Sequence, residues 1–224
     1  MSKGLFVTAT GTDVGKTYVA GLLAKRMHDA GESIGYYKAA LSGAHSIAES
    51  DAGFVKKTAN LEEADSMLLS YLYTHAVSPH LASRWEGNPV ELEVVKQDFR
   101  KVADTFEYVL MEGSGGIVCP IRDDKDEFLL LEDIIKALHL PTIIVADAGL
   151  GTINYVVTTT EYLRNHGMDV QGVILNHWEN SPMQQDNVVM IEKLAKLPVW
   201  AKVKTGDKEI DIDVSVLKGL FREV

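Results

Sequence analysis

The sequence predicts an α/β fold, a doubly wound, mostly parallel sheet with helices on both faces. Three observations predict it. Short, uncharged runs rich in β-branched residues recur at positions 5–9, 34–37, 108–111, 142–146, 170–175 and 199–201. Runs that are apolar on both sides suit parallel strands covered by helices on each face. Helical spacing lies between them, which is the alternation of βαβ units. Finally, the first run leads into Thr10-Gly11-Thr12-Asp13-Val14-Gly15-Lys16-Thr17 and then Tyr18-Val19-Ala20-Gly21-Leu22-Leu23. Strand, glycine-containing loop, Lys-Thr and helix are the layout of a P-loop. Residues 1–224 read as one P-loop-type domain, with no repeat, low-complexity segment or linker to divide them.

Each helix has its own signal. Val19, Leu22, Leu23 and Met27 mark one face of the helix after the loop. Leu92, Val95, Phe99, Val102 and Phe106 mark a second, and Leu131, Ile134, Ile135 and Leu138 a third that Pro141 closes before the next strand. Residues 154–164 and 183–196 complete the set. Arg122-Asp123-Asp124-Lys125-Asp126-Glu127 is dense in charge of both signs and reads as a solvated loop.

The chemistry begins at the loop. Backbone N–H groups and the positive end of the helix dipole collect phosphate oxygens. Lys16 can reach the outer phosphates of a nucleoside triphosphate, and the Thr17 hydroxyl can sit on Mg²⁺. The loop is a variant, because the strict spacing needs glycine where Thr10 stands.

Ligands of open α/β sheets bind at the carboxyl ends of the strands, so those ends hold the remaining candidates. Glu112, followed by Gly113-Ser114-Gly115-Gly116, emerges beside the phosphates as a Mg²⁺ ligand, or else caps the next element. Lys38, read as the end of a buried strand, meets an anion there or snorkels to solvent. Asp51 opens a helix, as an N-cap or a metal ligand. Asp147-Ala148-Gly149-Leu150-Gly151-Thr152-Ile153-Asn154 and Asn176-His177 end two further strands.

Composition excludes several classes. A net charge of −10 offers no basic stripe to a nucleic acid or an anionic membrane. Cys119 is the only cysteine and lies in an apolar stretch, so it reads as a small buried thiol rather than a nucleophile. The seven histidines lack metal-ligand spacing and read as scattered surface or helix-face residues. No run approaches membrane-spanning length and no leader precedes the first strand, so the expected location is cytoplasmic.

Taken in order, the quoted motifs resemble those of dethiobiotin synthetase. They are the 11–17 loop, Gly35-Tyr36-Tyr37-Lys38 with Ser42-Gly43, Ser50-Asp51-Ala52, Ser78-Pro79-His80, Glu112-Gly113-Ser114-Gly115-Gly116, Leu150-Gly151-Thr152-Ile153-Asn154 and Leu175-Asn176. The likeness runs to about residue 203, nearly the whole chain. It implies an enzyme of biotin synthesis that uses ATP to carboxylate 7,8-diaminononanoate with CO₂ and close the ring. By that resemblance Lys16 and Lys38 hold the γ-phosphate, and Thr17, Asp51 and Glu112 hold Mg²⁺. Asp13, Val14, Gly15, Tyr18, Gly113, Ser114 and Gly115 join the nucleotide site, and Asn176 with His177 meets the base. Thr12 and Ser42 contact the reacting end of the substrate. Gly149, Leu150, Gly151, Thr152, Ile153 and Asn154 receive its carboxylate from the other subunit of a homodimer.

The chain departs from the family's pattern at several places. Ala9 stands for a glycine, Ala39 for a proline and Tyr155 for a histidine. Trp200-Ala201-Lys202-Val203-Lys204 replaces a glycine- and proline-containing loop that touches the base. Two other classes share the fold. Partition and division-site switch ATPases carry a lysine at the loop position that is Gly11 here. Amidotransferase-type ligases carry a glutaminase for which this chain has no room.

Overall fold

Strand β1 (Lys3–Ala9) pairs in parallel with β4 (Tyr108–Glu112) on one side and β7 (Thr142–Asp147) on the other. This is the centre of the sheet in the computed structural model, which describes residues 1–224. Beyond β4 lie β2 (Ile34–Ser42) and β3 (Leu69–Tyr73); beyond β7 lie β8 (Val170–Asn176) and β9 (Val199–Lys202). The order β3-β2-β4-β1-β7-β8-β9 is parallel throughout. A two-residue strand, β10 (Arg222–Glu223), runs antiparallel against Lys3 and Gly4, below the point where β7 joins β1. Strands β5 (Pro120–Asp123) and β6 (Phe128–Leu130) form a separate hairpin.

Alternation along the buried strands divides the core between the two faces. Leu5 and Val7 face α1 (Lys16–Asp29) and α2 (Asp51–Ala59), over which the chain from Val203 to α8 (Val214–Lys218) also packs. Phe6 faces the other way, toward α4 (Leu92–Thr105), α5 (Leu131–Ala137), α6 (Thr152–Asn165) and α7 (Pro182–Ala195). The expected helix faces are the buried ones: Val19, Leu22, Leu23 and Met27 on α1, and Val95, Phe99 and Val102 on α4. A doubly wound parallel sheet is therefore the fold.

Several details differ from the sequence reading, among them the edge strand β3, which none of the expected runs covers. Strand β2 continues past residue 37 to Ser42, so Lys38 lies inside it, opposite Glu112 in register. The 122–127 segment is the exposed tip of the β5–β6 hairpin, solvated as expected from Asp123 to Asp126, but its first residue departs from that reading. Arg122 is buried there, with ion pairs to Glu91 at 2.8 Å, Asp124 at 2.7 Å and Glu127 at 3.0 Å. A short helix, α3 (Pro79–Glu86), packs on the hairpin and was not anticipated.

Candidate active site

A cleft of about 930 Å³ opens at the carboxyl ends of β1, β2 and β4. Its floor is the loop from Gly11 to Thr17 without Val14; its walls are Lys38, Leu41 and Ser42, Asp51, Ala76 to Pro79, Ser114 to Gly116, and Val118 to Pro120. The loop is shaped by two left-handed residues, Asp13 (φ 62°) and Gly15 (φ 82°). A Cβ on Gly15 would meet Asn176 Nδ2 at 2.0 Å, so glycine is required there on grounds of both φ and space. Gly15 ends the loop without any side-chain cap on α1, and the first N–H groups of the helix remain available to a ligand.

Below the loop stands one fully buried carboxylate. Glu112 is the last residue of β4, and its side chain has no exposed surface. Glu112 Oε1 accepts from Lys16 Nζ, from Thr17 Oγ1 at 2.6 Å and from Lys38 Nζ at 3.2 Å. Glu112 Oε2 accepts only from the Tyr36 hydroxyl, at 2.8 Å. Lys38 also donates to Asp51, whose side chain is half-exposed at the cleft rim. Two ammonium groups are thus balanced by two carboxylates, one wholly buried and one at the cleft rim, which keeps their burial tolerable.

The titration behaviour follows from that balance. Burial pushes the Glu112 carboxyl up, but the Lys16 and Lys38 charges outweigh it and hold the group at about 2. Burial is also the largest influence on Lys16, and it brings this amine below its ordinary range. In Lys38 burial is overcome by Glu112 and Asp51 together, and the amine is raised. Tyr36 is raised well above its usual value, by burial first and by Glu112 next. Its hydroxyl therefore remains a donor.

This geometry resolves what the residues alone left open. Glu112 does not cap a following element, because its oxygens are taken by side chains of β2 and of the loop–helix junction. Lys38 does not snorkel; it is 2% exposed and ion-paired. The N-cap of α2 is Ser50, whose hydroxyl accepts from the Gly53 N–H, and Asp51 is the next residue, free to turn toward Lys38.

The remaining candidates fall into two groups. Thr12, Asp13, Ser42, Ser114 and Gly115 line the cleft with Lys16, Thr17, Lys38 and Asp51. Ser42 Oγ is buried without a partner. Gly113 adjoins them, pressed against the Phe6 ring. Asn176 donates to the Val14 carbonyl at 3.0 Å and leaves its own carbonyl oxygen buried and unpartnered behind the loop. Tyr18 donates to the Asp207 carbonyl, tying α1 to the chain that follows β9. His177, left-handed at φ 55°, pairs with Asp147 at 2.6 Å, and Asp147 accepts the Gly149 N–H. The segment Gly149, Leu150, Gly151, Thr152, Ile153 and Asn154 stands at the end of β7, outside this chain's own cleft, with Leu150 91% exposed.

Ala76 and Val77, with Ser78-Pro79 of the Ser78-Pro79-His80 motif, bring the start of α3 to the cleft, a role that the motif alone does not assign. Nor did sequence reasoning single out Tyr36 as a partner of Glu112. Cys119 is a buried free thiol at the cleft wall, pushed up to about 11 chiefly by burial, which argues against a nucleophile.

The oxygen donors Thr17, Asp51 and Glu112 fit Mg²⁺, a hard ion that takes one or two carboxylates and fills its shell with water and phosphate oxygens. No group of three or more His, Cys, Asp or Glu side chains forms a softer or all-protein metal cage.

Comparison with known proteins decides the family. A family described as "AAA domain" matches residues 3–208. The ATP-dependent dethiobiotin synthetase of Brachyspira hyodysenteriae is 50% identical over 212 residues, 94% of this chain and 96% of its own. The chain belongs to the dethiobiotin synthetase family. The synthetases of Clostridium novyi (44% identical; 97% and 98% of the two chains) and of a Clostridium botulinum strain (39%; 99% of both) match in the same way. Among solved structures, the MinC–MinD cell division complex of Aquifex aeolicus superposes with a TM-score of 0.58 at 13% identity, over 92% of this chain and 83% of that one. A ParA family ATPase of Chlorobium tepidum gives 0.58 at 12%, over 98% and 90%. At such identities these two establish the fold alone.

Proposed function

We infer that the chain is an ATP-dependent ligase that converts 7,8-diaminononanoate and CO₂ into dethiobiotin, with ADP and phosphate as the other products. The full-length likeness to dethiobiotin synthetases carries this reading, and the chemistry of the cleft supports it. One substrate amine adds to CO₂ and loses a proton, giving a carbamate. A carbamate oxygen attacks the γ-phosphorus of ATP and the bond to ADP breaks. The second amine then attacks the carbamoyl carbon, phosphate departs, and a cyclic urea remains.

The residues divide the work. Loop N–H groups from Asp13 to Thr17 and the start of α1 bind the phosphates, with Gly113, Ser114 and Gly115 letting backbone approach from the β4 side. Lys16 and Lys38 stabilise the charge that develops on the transferred group, and each already sits on a carboxylate that a phosphate can replace. Mg²⁺, when bound, neutralises phosphate charge between Thr17, Asp51 and Glu112. Thr12 and Ser42 orient the substrate's reacting end. Asn176 pairs with the base edge of the nucleotide, and His177 and Tyr18 belong to the same nucleotide site. The carboxylate of the diamine binds at Gly149, Leu150, Gly151, Thr152, Ile153 and Asn154 of a second copy, so the working form is a homodimer whose two sites each use both chains. We place the enzyme in the cytoplasm, where a lone buried thiol such as Cys119 stays reduced, and treat residues 1–224 as one P-loop-type domain. No helix is long and apolar enough to cross a membrane.

The test is product formation. With ATP, Mg²⁺, bicarbonate and the diamine, dethiobiotin and ADP should appear in equal amounts. ATP turnover that is indifferent to the diamine would overturn the reading.

A further inference from the structure

Tyr36 and Lys38 lie two residues apart on β2, so they project from the same face of the sheet and meet β4 at Leu110 and Glu112 respectively. The Tyr36 ring is fully buried within the core between the sheet, α1 and α2. Only its hydroxyl leaves the apolar packing, and it is the sole partner of Glu112 Oε2. The three donors of the cleft, Lys16, Thr17 and Lys38, all converge on the other oxygen, Oε1. The backbone beneath Tyr36 is fixed as well. Its N–H points off the edge of β2 before β3 begins, and the buried Glu63 carboxylate accepts it at 2.8 Å.

We propose that Tyr36 is a positioning residue: its hydroxyl pins Glu112 Oε2, so that Oε1 is the oxygen presented to the metal–nucleotide complex. The inference rests on the reading of Glu112 as a Mg²⁺ ligand. A buried carboxylate oxygen without a partner is costly. With the hydroxyl removed, Oε2 has no donor in its pocket, and the carboxylate rotates to share the lysines and the threonine between both oxygens. Oε1 is then no longer held in place. Partners that orient metal ligands are worth about 10- to 100-fold in metal affinity when lost.

The experiment is a Mn²⁺ titration of the full chain with saturating ADP, followed by electron paramagnetic resonance, beside an ADP titration without metal. Tyr36→Phe keeps the ring and removes the oxygen; Tyr36→Met repeats the measurement if the first variant folds poorly. The expected result is Mn²⁺ binding weakened about 10-fold or more while metal-free ADP affinity is unchanged. Loss of metal-free ADP affinity to the same extent would make Tyr36 a packing residue only and overturn the proposal. Glu112→Gln and Asp51→Asn separate the two levels of the argument. If they weaken Mn²⁺ binding and Tyr36→Phe does not, the positioning role is wrong and the metal site stands. If neither carboxylate variant changes Mn²⁺ binding, the metal reading fails and the role of Tyr36 with it.

Discussion

Replacing Glu112 with Gln removes the charge that two buried lysines share and keeps the shape of the side chain. The Lys16 and Lys38 charges hold the carboxyl at about 2, below its ordinary 4.5, so the folded state favours the ionised form. Removing the charge from one side of a buried ion cluster costs about 3 kcal/mol, at the low end of the usual range for breaking a buried pair. For a chain of this length each kcal/mol moves Tm by about 2–4 °C, so the variant should melt roughly 6–12 °C below its parent at pH 7. The sign with pH follows from the depressed folded-state value. The stabilisation is complete above about pH 4.5 and is lost as pH falls toward 2, so the two melting curves should converge below pH 4.5. A ligand control belongs in the same assay. Pyrophosphate restores a negative partner to Lys16 and Lys38, and should raise the Tm of Glu112→Gln more than that of the parent. A variant within 2 °C of the parent at pH 7, or one that gains no more from pyrophosphate, would refute the charge-balance argument.

Three further outcomes are expected. Lys16→Ala and Lys38→Ala should each lower kcat by about 10²–10³ with the fold intact by circular dichroism, since each removes one donor to the transferring phosphoryl group; near-normal turnover would remove that lysine from the mechanism. Mixing inactive Lys16→Ala subunits with impaired Asn154→Ala subunits should restore part of the activity, because one site of each heterodimer carries neither lesion; no rescue despite proven heterodimers would refute shared sites. Burial, only partly offset by the Tyr36 N–H, pushes the Glu63 carboxyl up to about 7. A raised acid favours the protonated fold and costs stability as pH climbs from about 4.5 through 7, so the Tm of Glu63→Gln relative to the parent should become more favourable between pH 5 and pH 8. A pH-independent difference would refute that.

Much of the fold was legible because the central strands are buried on both faces and read as unbroken apolar runs. The ends of those strands were not, because pairing carries β2 and β4 on through Lys38 and Glu112, which no hydrophobicity pattern assigns to a strand. Strand β3 lies at the sheet's edge and mixes Ser70 with half-buried residues, so its signal is weak. The hairpin was hidden by its charges, since the burial of Arg122 depends on Glu91, thirty-one positions away in sequence. In the site, Lys16, Thr17 and Glu112 were visible from their places after apolar strands. Tyr36 was not, because a tyrosine within a strand reads as core, and only the register between β2 and β4 reveals where its hydroxyl goes.

The order of strands has a consequence for synthesis. β1 leaves the ribosome first but occupies the middle of the sheet, and its second neighbour, β7, is complete only at Asp147, 138 residues after Ala9. At about 5–20 residues per second the nascent chain carries this strand without its full complement of partners for roughly 7–28 s. Leu5, Phe6 and Val7, wholly buried in the finished protein, must be sheltered during that interval by β4, by α1 or by a chaperone.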